Sequence, residues 1–338
     1  VDLQNDESDI VNSRKPDLLD LTREAPAAER RIKNHIRETP LEFSPYLSAL
    51  GKCSVYLKLE NLQKTGSFKY RGAANHILSL SQDERDRGLV TASTGNHAAA
   101  VACVLDEIGS RGTIYLPENT SKAKLEALRA YGVELRFHGR DCVEAEIYAR
   151  EAAKADGQVY IPPYNHPRII AGQATIAVEL ERQLERIDVV FAPVGGGGLM
   201  SGIAGYLKES HSSLIAVACQ PENSPVMYES VRRGKIVEMG SLPTLSDGTT
   251  GGIEKGSLTF EICRRCVDDY VLVSEDEIKN ALVLMIDKHH ILVEGAAVLS
   301  VASFIRLGDR FKDKNVVLVI SGNKISPETL RTAICSGK

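Results

Sequence analysis

The run Asp188-Val189-Val190-Phe191-Ala192-Pro193-Val194 passes directly into Gly195-Gly196-Gly197-Gly198 and then into Leu199. A short apolar run rich in valine reads as a strand buried on both faces. Leu199 to Glu209 reads as a helix. Strand, glycine turn and helix together form half of a βαβ unit. Four consecutive glycines are more than a tight turn requires. They expose backbone N–H groups, leave no Cβ in the way of an anion, and precede a helix N-terminus, where negative charge is favoured. The run does not match G-x-x-x-x-G-K-[ST], and Met200 stands where G-x-G-x-x-G would need its last glycine. Phosphate binding by the backbone is the reading preferred over a plain strand-to-helix turn.

The same rhythm extends in both directions. Apolar or alternating runs at Cys53–Glu60, Val90–Ser93, Gly112–Leu116, Val133–Phe137, Gln158–Ile161, Leu214–Cys219, Tyr270–Val273 and Asn315–Ile320 read as strands. Helical stretches stand between them: Asn96–Glu107, Ser121–Arg129 with Ser121 as cap, Cys142–Ala155, Ala171–Leu184, Glu275–Asp287 and Gly295–Leu307. Ser274 and Glu277 have the spacing of a capping box. Strands alternating with helices imply an α/β protein with mainly parallel sheets. Ligands of such sheets bind beyond the carboxyl ends of strands. The glycine run, the turn Ser93-Thr94-Gly95-Asn96-His97 and the turn Ser321-Gly322-Asn323 all fall at such ends.

Composition narrows the partners. The chain has 338 residues, a net charge of -4 and 43% hydrophobic content, ordinary for a globular protein and without the basic excess of a nucleic-acid binder. No apolar run reaches the length of a membrane span. The polar, acidic stretch Val1–Asp9 reads as neither a signal peptide nor a transit peptide. Seven scattered cysteines suit a reducing, cytoplasmic setting better than a disulfide framework. Cys263-Arg264-Arg265-Cys266 has no second pair to complete a zinc site and lies in an amphipathic stretch, so it reads as two ordinary helix cysteines.

Lys69 lies in Ser67-Phe68-Lys69-Tyr70-Arg71-Gly72, near the expected start of a helix. Its amine could face the same crevice as the three turns. A lysine, a phosphate cradle and a polar turn together suit an enzyme that holds a phosphorylated aldehyde as a Schiff base. That chemistry needs a neutral amine, and burial beside Phe68 and proximity to Arg71 would both depress its pKa. The hydroxyls, amide and backbone donors of Ser93 to His97 suit a carboxylate, although simple helix capping would use the same residue types.

The segments Lys64-Thr65-Gly66-Ser67-Phe68-Lys69-Tyr70-Arg71-Gly72, Ser93 to His97, Ala171-Gly172-Gln173-Ala174-Thr175, Pro193 to Gly198 and Ser321-Gly322-Asn323, in that order, resemble the fold-type II pyridoxal-phosphate enzymes, whose fold is like that of the tryptophan synthase β chain. The likeness runs from about Thr39 to Ile325 and is greatest to the serine/threonine dehydratase and serine racemase group. It implies two open α/β domains: a large cofactor-binding one (1–87 with 166–338) and a small mobile one (88–165). It also implies pyridoxal 5'-phosphate as cofactor. Lys69 would hold it and move the α-proton, Phe68 would pack beside the ring, and Asn96 would bond the ring hydroxyl. Gly195, Gly196, Gly197 and Gly198 would hold the phosphate, and Ser321 would face the pyridine nitrogen. Ser93, Thr94, Asn96 and His97 would bind the substrate carboxylate. Thr94 stands where racemases place a second catalytic hydroxyl.

The activity so implied is that of a cytoplasmic, homodimeric ammonia-lyase acting on a β-hydroxy amino acid such as L-threonine or L-serine. Racemisation and elimination from 3-hydroxyaspartate are the alternatives. The latter would need a partner for a second carboxylate, and the sequence identifies none: Arg136, His138 and Arg140 are only near one another in the chain. Gln220 and Val226 occupy positions where the racemases carry carboxylate metal ligands, so no metal is expected. Threonines and glycines at 247–252 depart from the group's pattern in the distal substrate pocket, and the Ser321 turn lacks one small residue found in the group.

Overall fold

The computed structural model describes residues 19–335. The reading of Val1–Asp9 falls outside them. Among the described residues, ten strands form two sheets. The larger is built from β1 (Leu41–Phe43), β2 (Ser54–Lys58), β7 (Val189–Pro193), β8 (Ile215–Pro221), β9 (Asp269–Val273) and β10 (Asn315–Val319), in the spatial order β1-β2-β10-β7-β8-β9. The smaller holds β3 (Leu89–Ala92), β4 (Gly112–Leu116), β5 (Glu134–Phe137) and β6 (Val159–Tyr160), in the order β5-β4-β3-β6. Every pairing is parallel except β1 with β2, where Leu41 lies opposite Lys58.

The two-sided burial expected of the central strands is visible residue by residue. In β7, Val190 and Ala192 enter one core, together with helices Leu21–Ile32, Pro167–Gln183 and Gly198–Ser210. Val189 and Phe191 enter the other, against Leu299, Val301 and Phe304 of helix Leu299–Leu307. β10 alternates in the same way, with Val317 and Val319 on the first side and Val316 and Leu318 on the second. A period of two with apolar side chains at every position is what helices on both faces demand.

Three local expectations differ from the structure. The helix expected from Ala171 begins at Pro167, because proline is favoured in the first turn and the His166 ring caps it by accepting from the Arg168 N–H. Ser121 stands at a helix N-terminus but makes no side-chain cap bond. The helix expected from Gly295 begins at Leu299. Gly295 lies so close to the backbone of Leu245 that a Cβ would fall 2.0 Å from its carbonyl oxygen. The capping box of Ser274 and Glu277 is formed. No helix among the described residues is long and apolar enough to cross a membrane.

Candidate active site

The turns after β3, β7 and β10 and the helix Lys69–Leu78, which follows β2, meet through a chain of contacts. The Phe68 N–H donates to Ser321 O at 3.1 Å, and Ser67 pairs with Gly322 in an isolated bridge. This sets the start of the lysine helix against the end of β10. On the other side the Lys69 amine donates to Pro163 O at 2.8 Å. The next residue, Tyr164, lays its ring on the glycine loop: a Cβ at Gly196 would come within 2.6 Å of it. Lys69 and the glycine run, far apart in the chain, are thus linked through the segment Pro163-Tyr164.

The glycine loop has the form of an anion cradle. Gly197 is the N-cap of helix Gly198–Ser210 and has φ +86°, in the left-handed region that favours glycine. A Cβ at Gly195 would meet Thr249 at 3.0 Å, and one at Gly197 would meet Met227, Thr259 and Cys263. The N–H groups of Gly195, Gly196 and Gly197 donate to nothing among the described residues.

The turn after β3 starts helix Asn96–Ile108, so the N–H groups of Asn96, His97 and Ala98 lie in its first turn, where no intrahelical acceptor exists. Ser93 Oγ accepts from the Gly95 N–H at 3.2 Å. Thr94 Oγ1 lies 3.8 Å from Cys142 Sγ. The His97 ring is buried and its Nε2–H donates to Ile161 O at 3.0 Å. Burial, and then the charge of Lys69, lower the pKa of His97 to about 3, so the ring is neutral. What His97 offers an anion is its backbone.

Glu294 was not singled out by the sequence, yet it sits at the centre of this group. Asn96 Nδ2 donates to both of its carboxylate oxygens at 2.9 Å, and the Lys324 N–H to Oε2 at 3.2 Å. Gly322 packs so tightly on it that a Cβ would fall 2.5 Å from Oε1. Burial pushes its pKa up to about 7, against the pull of the Asn96 hydrogen bond. The signal was a lone carboxylate in the apolar run Ile291-Leu292-Val293-Glu294-Gly295-Ala296. Asn96, having turned its amide to Glu294, leaves Oδ1 buried and without a partner. Tyr164 and Thr249 were also missed, and no pattern in sequence marks either.

Burial lowers the Lys69 amine from 10.5 to about 8, with Glu146 and Glu294 opposing the shift. Arg71 is not a cause. It points into a separate buried cluster, donating to Glu60 at 2.8 Å and to Glu179 at 2.6 and 2.8 Å. Lys58 completes that cluster through Glu179 at 2.6 Å. The three residues considered for a second carboxylate are not joined to the site: Arg136 pairs with Glu134 on β5, His138 stacks on Tyr148, and Arg140 offers its N–H to Glu144. Gln220 is occupied structurally, accepting from the Tyr228 N–H and donating to Ser224 O.

A desolvated lysine, an anion cradle and an orphan amide oxygen around one cleft are the marks of the pyridoxal-phosphate dependent enzymes. Residues 32–322 match the model of that family, and the chain belongs to it. Within the family it is similar to the L-threonine ammonia-lyase of Thermotoga maritima, at 39% identity over 92% of this chain and 77% of that protein. It is 37% identical to the catabolic L-threonine dehydratase TdcB of Escherichia coli K12, over 88% of this chain and 91% of that one. Among solved structures it resembles the processed threonine deaminase isoform 2 of Solanum lycopersicum, with TM-score 0.88 and 32% identity over 93% and 92% of the two chains. It also resembles the serine racemase of Dictyostelium discoideum, with TM-score 0.85 and 32% identity over 92% and 100%.

The residues present fit the cofactor. The glycine N–H groups suit its phosphate, Asn96 Oδ1 suits its ring hydroxyl as an acceptor, and the Lys69 amine suits its aldehyde.

Proposed function

We propose that the chain is an L-threonine ammonia-lyase that also accepts L-serine, releasing a 2-oxo acid and ammonia. The observation that carries this reading is the Lys69 amine, bonded to the Pro163 carbonyl and to no carboxylate among the described residues, in a cleft bordered by the glycine loop and the helix start at Asn96. The two curated relatives, named for L-threonine, support the substrate.

Pyridoxal phosphate, when bound, supplies an electron sink that stabilises the negative charge left on Cα as its proton departs. The chain's own residues do the rest. Lys69 Nζ would hold the cofactor and would take the proton from Cα of the amino acid. The N–H groups of Asn96 to Ala98 and the hydroxyls of Ser93 and Thr94 hold the α-carboxylate. Glu294 fixes the Asn96 amide, so that Oδ1 would be free to accept from the cofactor's ring hydroxyl. Phe68 would flank the cofactor ring, and Ser321 would offer its nitrogen a neutral partner. Tyr164 covers the phosphate loop and excludes water. We read the segment 88–165, which carries β3 to β6, as the mobile part of the molecule. Arg150 from that segment reaches Glu254 at 2.5 Å beside Tyr164, an ion pair suited to hold the cleft closed. The reading includes a homodimer and a cytoplasmic setting, the latter in keeping with seven free cysteines.

Racemisation is the second reading, supported by Thr94 and by the similar serine racemase. Purified protein with added cofactor, offered L-threonine and L-serine, decides between them. Release of 2-oxo acid supports the lyase. Chiral chromatography showing D-serine without 2-oxo acid would replace the reading with the racemase.

A further inference from the structure

The cysteines of Cys263-Arg264-Arg265-Cys266 lie on helix Leu258–Cys266, and this helix backs the glycine loop. Thr259 and Cys263, one turn apart on it and fully buried, face the loop. Thr259 Oγ1 donates to Gly196 O at 2.5 Å, the one hydrogen bond that this carbonyl receives among the described residues. Ser257 Oγ, also fully buried, lies 2.7 Å from Thr259 Oγ1. Because the threonine proton goes to a carbonyl, which can only accept, the contact with Ser257 is a donation from Ser257. A relay Ser257–Thr259–Gly196 therefore runs from the core to the loop. Ser201 Oγ ties the two helices together by donating to Thr259 O at 3.2 Å.

The geometry of the peptide unit turns this relay into a pointing device. In a planar trans peptide the C=O and the N–H point in opposite directions. Gly196 C=O and Gly197 N–H belong to one such unit. Holding the carbonyl on Thr259 aims the Gly197 N–H away from that helix. Glycine by itself would not hold that orientation, since it has the widest choice of backbone conformation.

We propose that Thr259, supported by Ser257, is a positioning residue for the phosphate of the cofactor: its hydroxyl holds the Gly196–Gly197 peptide with the N–H directed at the anion. This rests on the reading that the glycine loop takes the phosphate. Cys263 acts as a wall. Its Sγ would lie 3.2 Å from a Cβ at Gly197, while Gly197 O already accepts from the Ser201 N–H at 2.8 Å. Burial pushes its thiol up to about 12, so it stays protonated and without redox character.

The test compares wild type, Thr259→Val and Thr259→Ser for their affinity toward pyridoxal 5'-phosphate and toward pyridoxal, which lacks the phosphate. The phosphorus NMR signal of the holoenzymes is recorded alongside. Thr259→Val is expected to weaken pyridoxal phosphate about tenfold to a hundredfold, as for one buried hydrogen bond lost. It should also move the phosphorus resonance and leave pyridoxal affinity unchanged, and Thr259→Ser should restore both. A Thr259→Val protein with wild-type affinity and an unmoved resonance overturns the proposal. Equal weakening of both ligands also overturns it, since Thr259 would then be a packing residue. A wild type that binds pyridoxal as tightly as the phosphate ester removes the glycine-loop reading itself. If Thr259→Val does not fold, Ser257→Ala, which leaves Thr259 in place without its donor, carries the same comparison with a smaller shift.

Discussion

Lys69 and Arg71 stand two residues apart at the start of one helix, and their surroundings are opposite. Positions i and i+2 point to opposite sides of a helix. Arg71 enters the core, where Glu60 and Glu179 each take two of its hydrogen bonds and Lys58 shares Glu179. Burial works against the charge of Arg71, but the two carboxylates outweigh it and its pKa is raised. Lys69 faces the cleft with only the Pro163 carbonyl as acceptor among the described residues, and burial lowers it to about 8. Both cations are desolvated. A paired cation keeps its proton and becomes scaffold, while one without a close carboxylate surrenders its proton readily and becomes available for chemistry.

Substitutions at the two positions should separate accordingly. Lys69→Ala should reduce 2-oxo acid release by at least about a thousandfold, the upper range for loss of a proton-transfer group. Its melting temperature should stay near that of wild type, because no buried ion pair is broken. A protein that lost stability and kept turnover would invert the comparison.

Arg71→Met should do the reverse. It leaves Glu60 and Glu179 buried without their shared partner, a defect that costs about 3–5 kcal/mol. Denaturant unfolding should show that loss, while the folded fraction retains measurable turnover. A wild-type unfolding midpoint would mean that the cluster contributes nothing.

Glu294 sharpens the contrast with a smaller effect. Its carboxyl is raised from 4.5 to about 7 in the folded protein. Between those values the native state binds more protons than the unfolded chain, so stability falls as pH rises through that window. Glu294→Gln should flatten the fall, read as denaturant midpoint against pH between about pH 5 and 8. An unchanged slope would place the pH dependence elsewhere.

Much of the frame was legible in the chain. The alternation through β7 and β10, the glycine turn from strand to helix, the helix starts at Lys69 and Asn96 and the capping box of Ser274 all depend on neighbouring residues, and the structure places them where the pattern does. The antiparallel β1 was not legible, because a strand of three residues carries no period to read. Nor were Tyr164 over the glycine loop, Glu294 on Asn96, or Thr259 behind Gly196, whose partners lie tens to hundreds of residues away. Arg71 misled the reading of Lys69, since closeness in sequence does not give direction in space.

By itself, then, the sequence determined what is local: which segments become strands and helices, where the backbone can expose N–H groups to an anion, and which lysine opens a helix at the cleft. The tertiary structure decided what depends on solvent and distance. Desolvation is set by every atom packed around a group, and charge acts through space rather than along the chain. For that reason only the folded protein distinguishes Lys69, lowered to about 8, from Arg71, held firmly charged two residues on.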